Sequence, residues 1–247
     1  MSGVTVHRAE HPMYLSNAYL VVDDDGKGVL IDGHGEGREL VDRIESEGVD
    51  VQAILLTHHH GDHVDLSDYE GFDVPVLASE TAAKLIGGDV VDRTVPDGET
   101  VEFGGLRIEF IPTPGHAAGH VALRVNDDDV FTADVLFKGT VGGSRAPGNT
   151  GFDDLRGSVM RLMELPPETR VHPGHREPTT IGEESRNNVF VRAFRGEVPE
   201  LGEPVRVVGR DAELLIWGPD YDGTNKAWVR FPDGSQDITG GSQVERG

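Results

Sequence analysis

The sequence predicts an α/β sandwich with helices outside its sheets, followed by a small all-β module. Three observations carry this. Before residue 196, apolar runs of strand length alternate with segments of helical period, the pattern of a mixed, layered fold. Residues 196–204 (GEVPELGEP) are rich in Pro, Gly and Glu and read as a linker. Beyond them come only short β-like runs with no helical period. The expected division is therefore one domain over 1–195, a linker over 196–204 and an all-β module over 205–247, with an SH3-like barrel as its expected form.

The elements follow in order. Residues 17–22 (NAYLVV) and 28–31 (GVLI) flank an Asp-Asp-Asp-Gly-Lys turn and predict a hairpin. A helix is expected over 36–48, with Leu40, Val41 and Ile44 on one face and Gly48 as its stop. Residues 53–56 form a continuous apolar strand that runs into Thr57-His58. Residues 75–78 read as a strand, and Ser79 as the cap of a following helix. Hairpins are expected for 99–103 with 106–111 around Gly104-Gly105, and for 121–125 with 130–132 around Asn126-Asp127-Asp128. Leu155, Val159, Leu162 and Met163 predict a helix over 153–165. A strand at 169–172 and one final helix over 181–195 complete the domain. In the module, strands are expected at 205–208, 213–217 and 226–231, then a turn and a frayed tail, with Trp217, Trp228 and Phe231 as the module's own core.

Charge excludes several partners. Forty-four acidic residues face 22 basic ones, for a net charge of -22; 18 of the bases are Arg and only 4 are Lys, while 24 Asp outnumber 20 Glu. Such a surface repels nucleic acid and anionic membrane, so neither is expected as a partner. The lysine-poor, aspartate-rich composition is similar to that of proteins from salt-in halophiles, where a Debye length of about 3 Å screens self-repulsion. No apolar run approaches a membrane span, and the N-terminus lacks a signal-peptide pattern, so a cytoplasmic protein is expected. The chain has no cysteine, which excludes disulfides, thiolate metal sites and cysteine nucleophiles. Any metal must be held by His, Asp or Glu.

The chemistry concentrates in His58-His59-His60-Gly61-Asp62-His63, in a loop that leaves a buried strand. In an extended segment, residues two apart point the same way, so His58 and His60 can share one metal ion. Asp62 and His63 can aim at a second point, and Gly61 permits the tight backbone this needs. Imidazole suits zinc, iron and similar ions, and a carboxylate adds hard-ligand character. Three more candidates sit at strand exits: His116 in Pro114-Gly115-His116, Asp134 after 130–132, and His175 in Pro173-Gly174-His175. His59 points away from its neighbours and is not expected to be a ligand. His120 is expected to play a structural part behind the ligands, His172 to pack, and His7 and His11 to lie on the surface. His34, in Asp32-Gly33-His34, has no assigned partner. Tyr14 and Lys138 are candidates for the pocket wall.

His58-x-His60-x-Asp62-His63, with the later Pro-Gly-His, strand-Asp and Pro-Gly-His junctions in order, resembles the metallo-β-lactamase superfamily over about residues 5–195. The resemblance implies an αββα sandwich with a dinuclear site at one edge. His58, His60 and His116 would bind one ion, Asp62, His63 and His175 the second, and Asp134 would bridge them. Asp32, at a strand end, would brace the metal loops. Within the superfamily, Asp134-Val135-Leu136-Phe137 and residues 174–184 (GHREPTTIGEE) look most like short glyoxalase II-like hydrolases. Ala133 stands where Gly is usual, and Arg176-Glu177 where a Gly-led turn is typical. The helical C-terminal domain of classical glyoxalase II has no counterpart here; the β module stands in its place.

The implied activity is hydrolysis of a small-molecule thioester of the hydroxyacyl-thiol type. The cofactor would be two divalent metal ions, zinc first, with iron or manganese as alternatives. A hydroxide between the ions would attack, with Asp62 orienting it and Asp134 setting the metal separation. A thiolate leaving group, whose thiol pKa is about 8.5, needs no strong general acid. Alternatives are a persulfide dioxygenase with one iron on two His and one Asp, opposed by the complete second ligand set, and another hydrolase such as a lactonase or β-lactamase. A nuclease is disfavoured by charge. The sequence leaves a homo-oligomer open. All candidate ligands end at His175, so the β module is expected to be dispensable for metal binding.

Overall fold

A computed structural model describes residues 3–247. The chain forms two compact units: one of residues up to Pro112 with 119–131 and 174–176, the other of 113–118, 132–173 and 177–247.

The first unit holds strands β1 (Val4–Glu10), β2 (Asn17–Asp23), β3 (Lys27–Ile31), β4 (Gly33–His34), β5 (Asp50–Leu55), β6 (Val64–Asp65), β7 (Val76–Ser79), β8 (Arg93–Val95), β9 (Thr100–Phe103), β10 (Leu106–Pro112) and β11 (Val121–Val125). It also holds β12 (Asp129–Ala133) as far as Phe131, and helices α1 (Arg38–Glu47) and α2 (Glu80–Ile86). One sheet runs β1-β2-β3-β5-β7-β8. It is antiparallel from β1 to β3 and parallel from β3 to β8. Strands β9 to β12 form an antiparallel meander.

The apolar runs of the central strands have a simple cause. Side chains alternate between faces, and here both faces are covered. Tyr19 and Val21, Val29 and Ile31, Ala53 and Leu55 join Ile108, Phe110 and Leu123 of the meander in one core. Their neighbours Ala18 and Leu20, Leu30, Ile54 and Leu56 pack with Leu40, Val41 and Ile44 of α1 and Ala82 of α2 in another. This is the predicted layering of helix on sheet on sheet. Gly48 stops α1 in the left-handed region at φ 68°, and the Ser79 side chain accepts from Ala82 N at the start of α2, both as expected.

The second unit holds β13 (Leu136–Phe137), β14 (Thr140–Val141), α3 (Phe152–Leu162), β15 (Arg170–Pro173), β16 (Thr179–Thr180), α4 (Ile181–Asn187) and α5 (Val189–Phe194). It continues with β17 (Glu203–Val207), β18 (Arg210–Pro219), β19 (Asn225–Arg230), β20 (Gln236–Gly240) and β21 (Val244–Arg246). The last five form an antiparallel sheet in the order β20-β19-β18-β17-β21.

Three expectations are corrected here. The single helix over 181–195 is broken at Asn188, which is extended at ψ 114° and whose side chain caps α5 by accepting from Phe190 N and Val191 N. The tail is not frayed: β20 pairs with β19, and β21 with β17. Trp228 is not in the module's own core, which is built of Val205, Val207, Leu214, Ala227, Val229 and Phe231. In β19, Ala227 and Val229 face that core, so Trp228 faces the other way. There it stacks on Phe152 of α3 and meets Phe194 of α5 edge-on, with both centroids at 5.3 Å. The C-terminal sheet belongs to the same compact unit as α3 and α5.

Candidate metal centre

In the first unit the ligand loop leaves β5 at the expected place. Asp32, one residue past β3, sits in the left-handed region at φ 57°. That conformation aims its carboxylate at the loop. Oδ1 accepts from Thr57 N at 2.8 Å and Oδ2 from Thr57 Oγ1 at 2.7 Å. Oδ2 also lies 3.0 Å from His63 Nδ1. Thr57 Oγ1 has spent its hydrogen on Asp32, so it accepts from His58 Nδ1 at 3.0 Å. One carboxylate thus fixes the Nδ1 side of both imidazoles and leaves their Nε2 atoms as ligand atoms, the arrangement metal-binding histidines use. His58 Nε2 faces His60 Nδ1 at 3.1 Å. Both His58 and His63 are buried.

His175 reaches the same unit through its own short segment. Asn17 N donates to Gly174 O at 2.7 Å, and Arg176 N to Leu15 O at 3.2 Å. His175 Nδ1 donates to Tyr14 O at 3.1 Å, which turns Nε2 towards Asp62. Asp62 Oδ2 lies 3.8 Å from His63 Nε2 and 3.7 Å from His175 Nε2. Asp62, His63 and His175 each offer a ligand atom, all within 4.8 Å of one another.

In the second unit, His116 and Asp134 come together. His116 Nδ1 donates to Gly143 O at 3.0 Å, and Nε2 faces Asp134 Oδ2 at 3.3 Å. The His116 segment is tied down by Thr150 N to Gly115 O at 3.0 Å and Ser158 Oγ to Pro114 O at 2.6 Å.

These residues fit a divalent metal. Within each unit nitrogen and oxygen donors come together, and each of His58, His63, His116 and His175 has its other ring nitrogen engaged with an oxygen. They would hold a metal through Nε2. Other histidines are spent elsewhere. His34 is buried between Ala9 O, 3.2 Å from Nε2, and Glu36 N, 3.2 Å from Nδ1. Burial lowers its pKa, against the pull of the Ala9 carbonyl. His11 is buried rather than on the surface, because its Nδ1 accepts from Met13 N and Tyr14 N. His120 is buried with its ring 4.9 Å from that of His58. His172 packs in β15 as expected. Gly61 is not needed for its turn, since a Cβ there would meet nothing within 4 Å and its φ is not left-handed.

Sequence reasoning passed over Thr57 and the Gly143 carbonyl. Thr57 had a visible signal, a hydroxyl between a buried strand and the first ligand. A backbone carbonyl has none.

Residues 12–65 and 66–175 match the model of the metallo-beta-lactamase superfamily. The hydroxyacylglutathione hydrolase GloC of Haemophilus influenzae is 30% identical over 201 residues, covering 73% of this chain and 94% of that protein. Among solved structures, ETHE1 from Myxococcus xanthus is similar with a TM-score of 0.68 and 27% identity, covering 78% of this chain and 88% of its own. TTHA1623, solved in a di-iron-bound form, is similar with a TM-score of 0.64 and 35% identity, covering 74% of this chain and 99% of its own. On the match over most of its length and on these likenesses, the chain belongs to the metallo-β-lactamase superfamily.

Proposed function

We propose that the chain is a metal-dependent hydrolase of a small-molecule thioester of the hydroxyacyl-thiol type. His58, His60 and His116 would hold one ion, Asp62, His63 and His175 a second, and Asp134 would be shared. The observation that carries this reading is the second ligand set: Asp62, His63 and His175 offer ligand atoms within 4.8 Å, with His63 and His175 each oriented from behind by an oxygen. The completeness of that set argues for two ions and against a site with one iron on two His and one Asp. The likeness to GloC and to a di-iron protein supports the same reading.

A bound divalent pair supplies Lewis acidity towards a carbonyl and makes a water nucleophilic near neutral pH. The chain's residues do the rest. Asp62 is partly exposed, its side chain 27% accessible, so one carboxylate oxygen can ligate while the other orients a water. Asp32 keeps His58 and His63 in the tautomers that bind metal, through Thr57 and directly. The exposed Met13 and Tyr14 lie on the loop whose Tyr14 carbonyl holds His175, and they offer an apolar lip for the substrate. A departing thiolate needs no proton donor, consistent with a site made of ligands.

The acidity supports a working place in a salt-rich cytoplasm. Among the described residues, no helix is long and apolar enough to cross a membrane. The test is elemental analysis of the purified protein, with a panel of thioesters on different thiol carriers run beside oxygen consumption on a persulfide. Close to two ions per chain and thioester turnover are expected. One iron per chain with persulfide-dependent oxygen uptake would overturn the reading in favour of the dioxygenase.

A further inference from the structure

Residues 134–145 carry one candidate ligand and orient another. After Asp134, the chain turns through β13 and β14, and Gly142 N donates to Val135 O at 3.0 Å. A Cβ on Gly142 would lie 1.9 Å from the Asp134 carbonyl oxygen, so the returning backbone passes directly against Asp134 and only glycine fits. The next carbonyl, Gly143 O, holds His116 Nδ1 at 3.0 Å. A displacement of this segment would move the Asp134 carboxylate and rotate the His116 ring together.

The C-terminal sheet holds the segment at two places. From β19, Lys226 Nζ donates to Val141 O at 2.6 Å and pairs with Asp220 Oδ1 at 2.9 Å. It also lies 5.4 Å from the ring centres of Phe137 and Tyr221. From β20, Ile238 O accepts from Ser144 N at 2.9 Å, and Ile238 N donates to Ser144 Oγ at 2.9 Å. Asp237 closes the second clamp, with Oδ1 3.2 Å from Ser144 Oγ and Oδ2 2.9 Å from Arg145 NH1.

Lys226 is one of only 4 lysines in the chain, and it is buried. Burial pulls its ammonium below the usual lysine range, and Asp220, then Asp134, pull the other way. A buried cation is an expensive way to hold a strand when an apolar residue would pack there. Its placement beneath the hairpin that follows Asp134 gives it a use. On Lys226, Asp237 and Ile238, we propose that the C-terminal sheet is a positioning element for the metal ligands His116 and Asp134, clamping residues 134–145 from behind. This rests on the metal-site reading above, but not on the thioester substrate.

The experiment uses the full-length protein. Lys226→Met combined with Asp220→Asn removes the buried pair together, so that no lone charge remains. Ser144→Ala removes the second clamp's side chain. Arg206→Ala, which breaks an exposed ion pair to Asp211 on the same sheet, is the control. Each variant is loaded with Co(II); the readouts are its visible absorption spectrum and its release to a competing chelator. In metal-free protein, amide hydrogen exchange over 134–145 is followed as well. The double variant should fold, hold the metal at His116 and Asp134 about 10- to 100-fold more weakly, and show an altered cobalt spectrum. Ser144→Ala should shift the same readouts in the same direction by a smaller factor, and the control should match the wild type. If the double variant does not fold, Ser144→Ala decides. Folded variants with wild-type cobalt spectra, release and exchange would overturn the proposal, whatever the substrate proves to be. A wild-type chain that takes up no cobalt overturns the metal-site reading instead, and exchange over 134–145 then decides whether the clamps hold the segment.

Discussion

Asp32 shows how much one side chain can organise. Its two oxygens serve Thr57 N, Thr57 Oγ1 and His63 Nδ1, and through Thr57 they reach His58. Asp32→Asn keeps the shape but offers an N–H where an acceptor is needed. The expected result is metal held about 10- to 100-fold more weakly, read by chelator competition, with the fold retained. Ala133 makes the opposite case. It sits at φ 39°, in a region where an L side chain costs about 1–2 kcal/mol, just before Asp134. The extra freedom of glycine in the unfolded chain offsets about 0.4–1 kcal/mol of any gain. Ala133→Gly should therefore stabilise slightly, raising the melting temperature by about 2 °C. A fall would show that the backbone there is not strained. Arg176, at φ 62°, is the second place where a non-glycine residue stands in the left-handed region at a turn that is glycine-led in the resembled family.

At the scale of elements, the break between α4 and α5 is informative. Helical spacing of Val189, Phe190, Ala193 and Phe194 predicts one helix, and both halves are helical. The break comes from Asn188, whose side chain competes with the backbone for its own donors. Its amide also donates to Thr140 O at 2.9 Å, tying the helix start to the hairpin after Asp134. Asn188→Ala removes a cap and a buried tie together. The expected cost is about 2 kcal/mol, a drop of roughly 4–8 °C in thermal denaturation for a chain of this size. A change under about 1 °C would mean that the cap contributes nothing.

For the molecule as a whole, charge and the C-terminal sheet set the behaviour. A net charge of -22 is a self-repulsion that salt screens. The melting temperature should rise from dilute buffer to molar KCl; a flat or falling curve would leave the acidity without that role. The sheet is the second determinant. A chain ending at Arg195 loses Trp228 from its packing against Phe152 and Phe194, and Lys226 from Val141. Losing a buried Trp alone costs about 3–5 kcal/mol. The truncated chain should aggregate or unfold non-cooperatively and fail to retain metal, contrary to the dispensability that the linker composition suggests. A truncated protein with a cooperative melt and full metal content would show that the sheet is an appendage after all.

Local spacing was enough for the α/β class, most strands and hairpins, the caps at Ser79 and Gly48, and the run of metal-competent side chains from His58 to His63, whereas His116, Asp134 and His175 were singled out by strand exits and by the family resemblance. Those features are written in runs of a few residues: period two or 3.6, a turn, or His58-His59-His60-Gly61-Asp62-His63 at the exit of a strand. Which oxygen orients each imidazole, where the final helix breaks and what Trp228 and Lys226 face were decided by tertiary structure. Each depends on a partner far along the chain: His116 on Gly143, Asn188 on Thr140, Lys226 on Val141. In β19 the apolar run marks a buried strand. It cannot say that two different surfaces cover its faces, one the module's own core and the other α3, α5 and the hairpin beside Asp134.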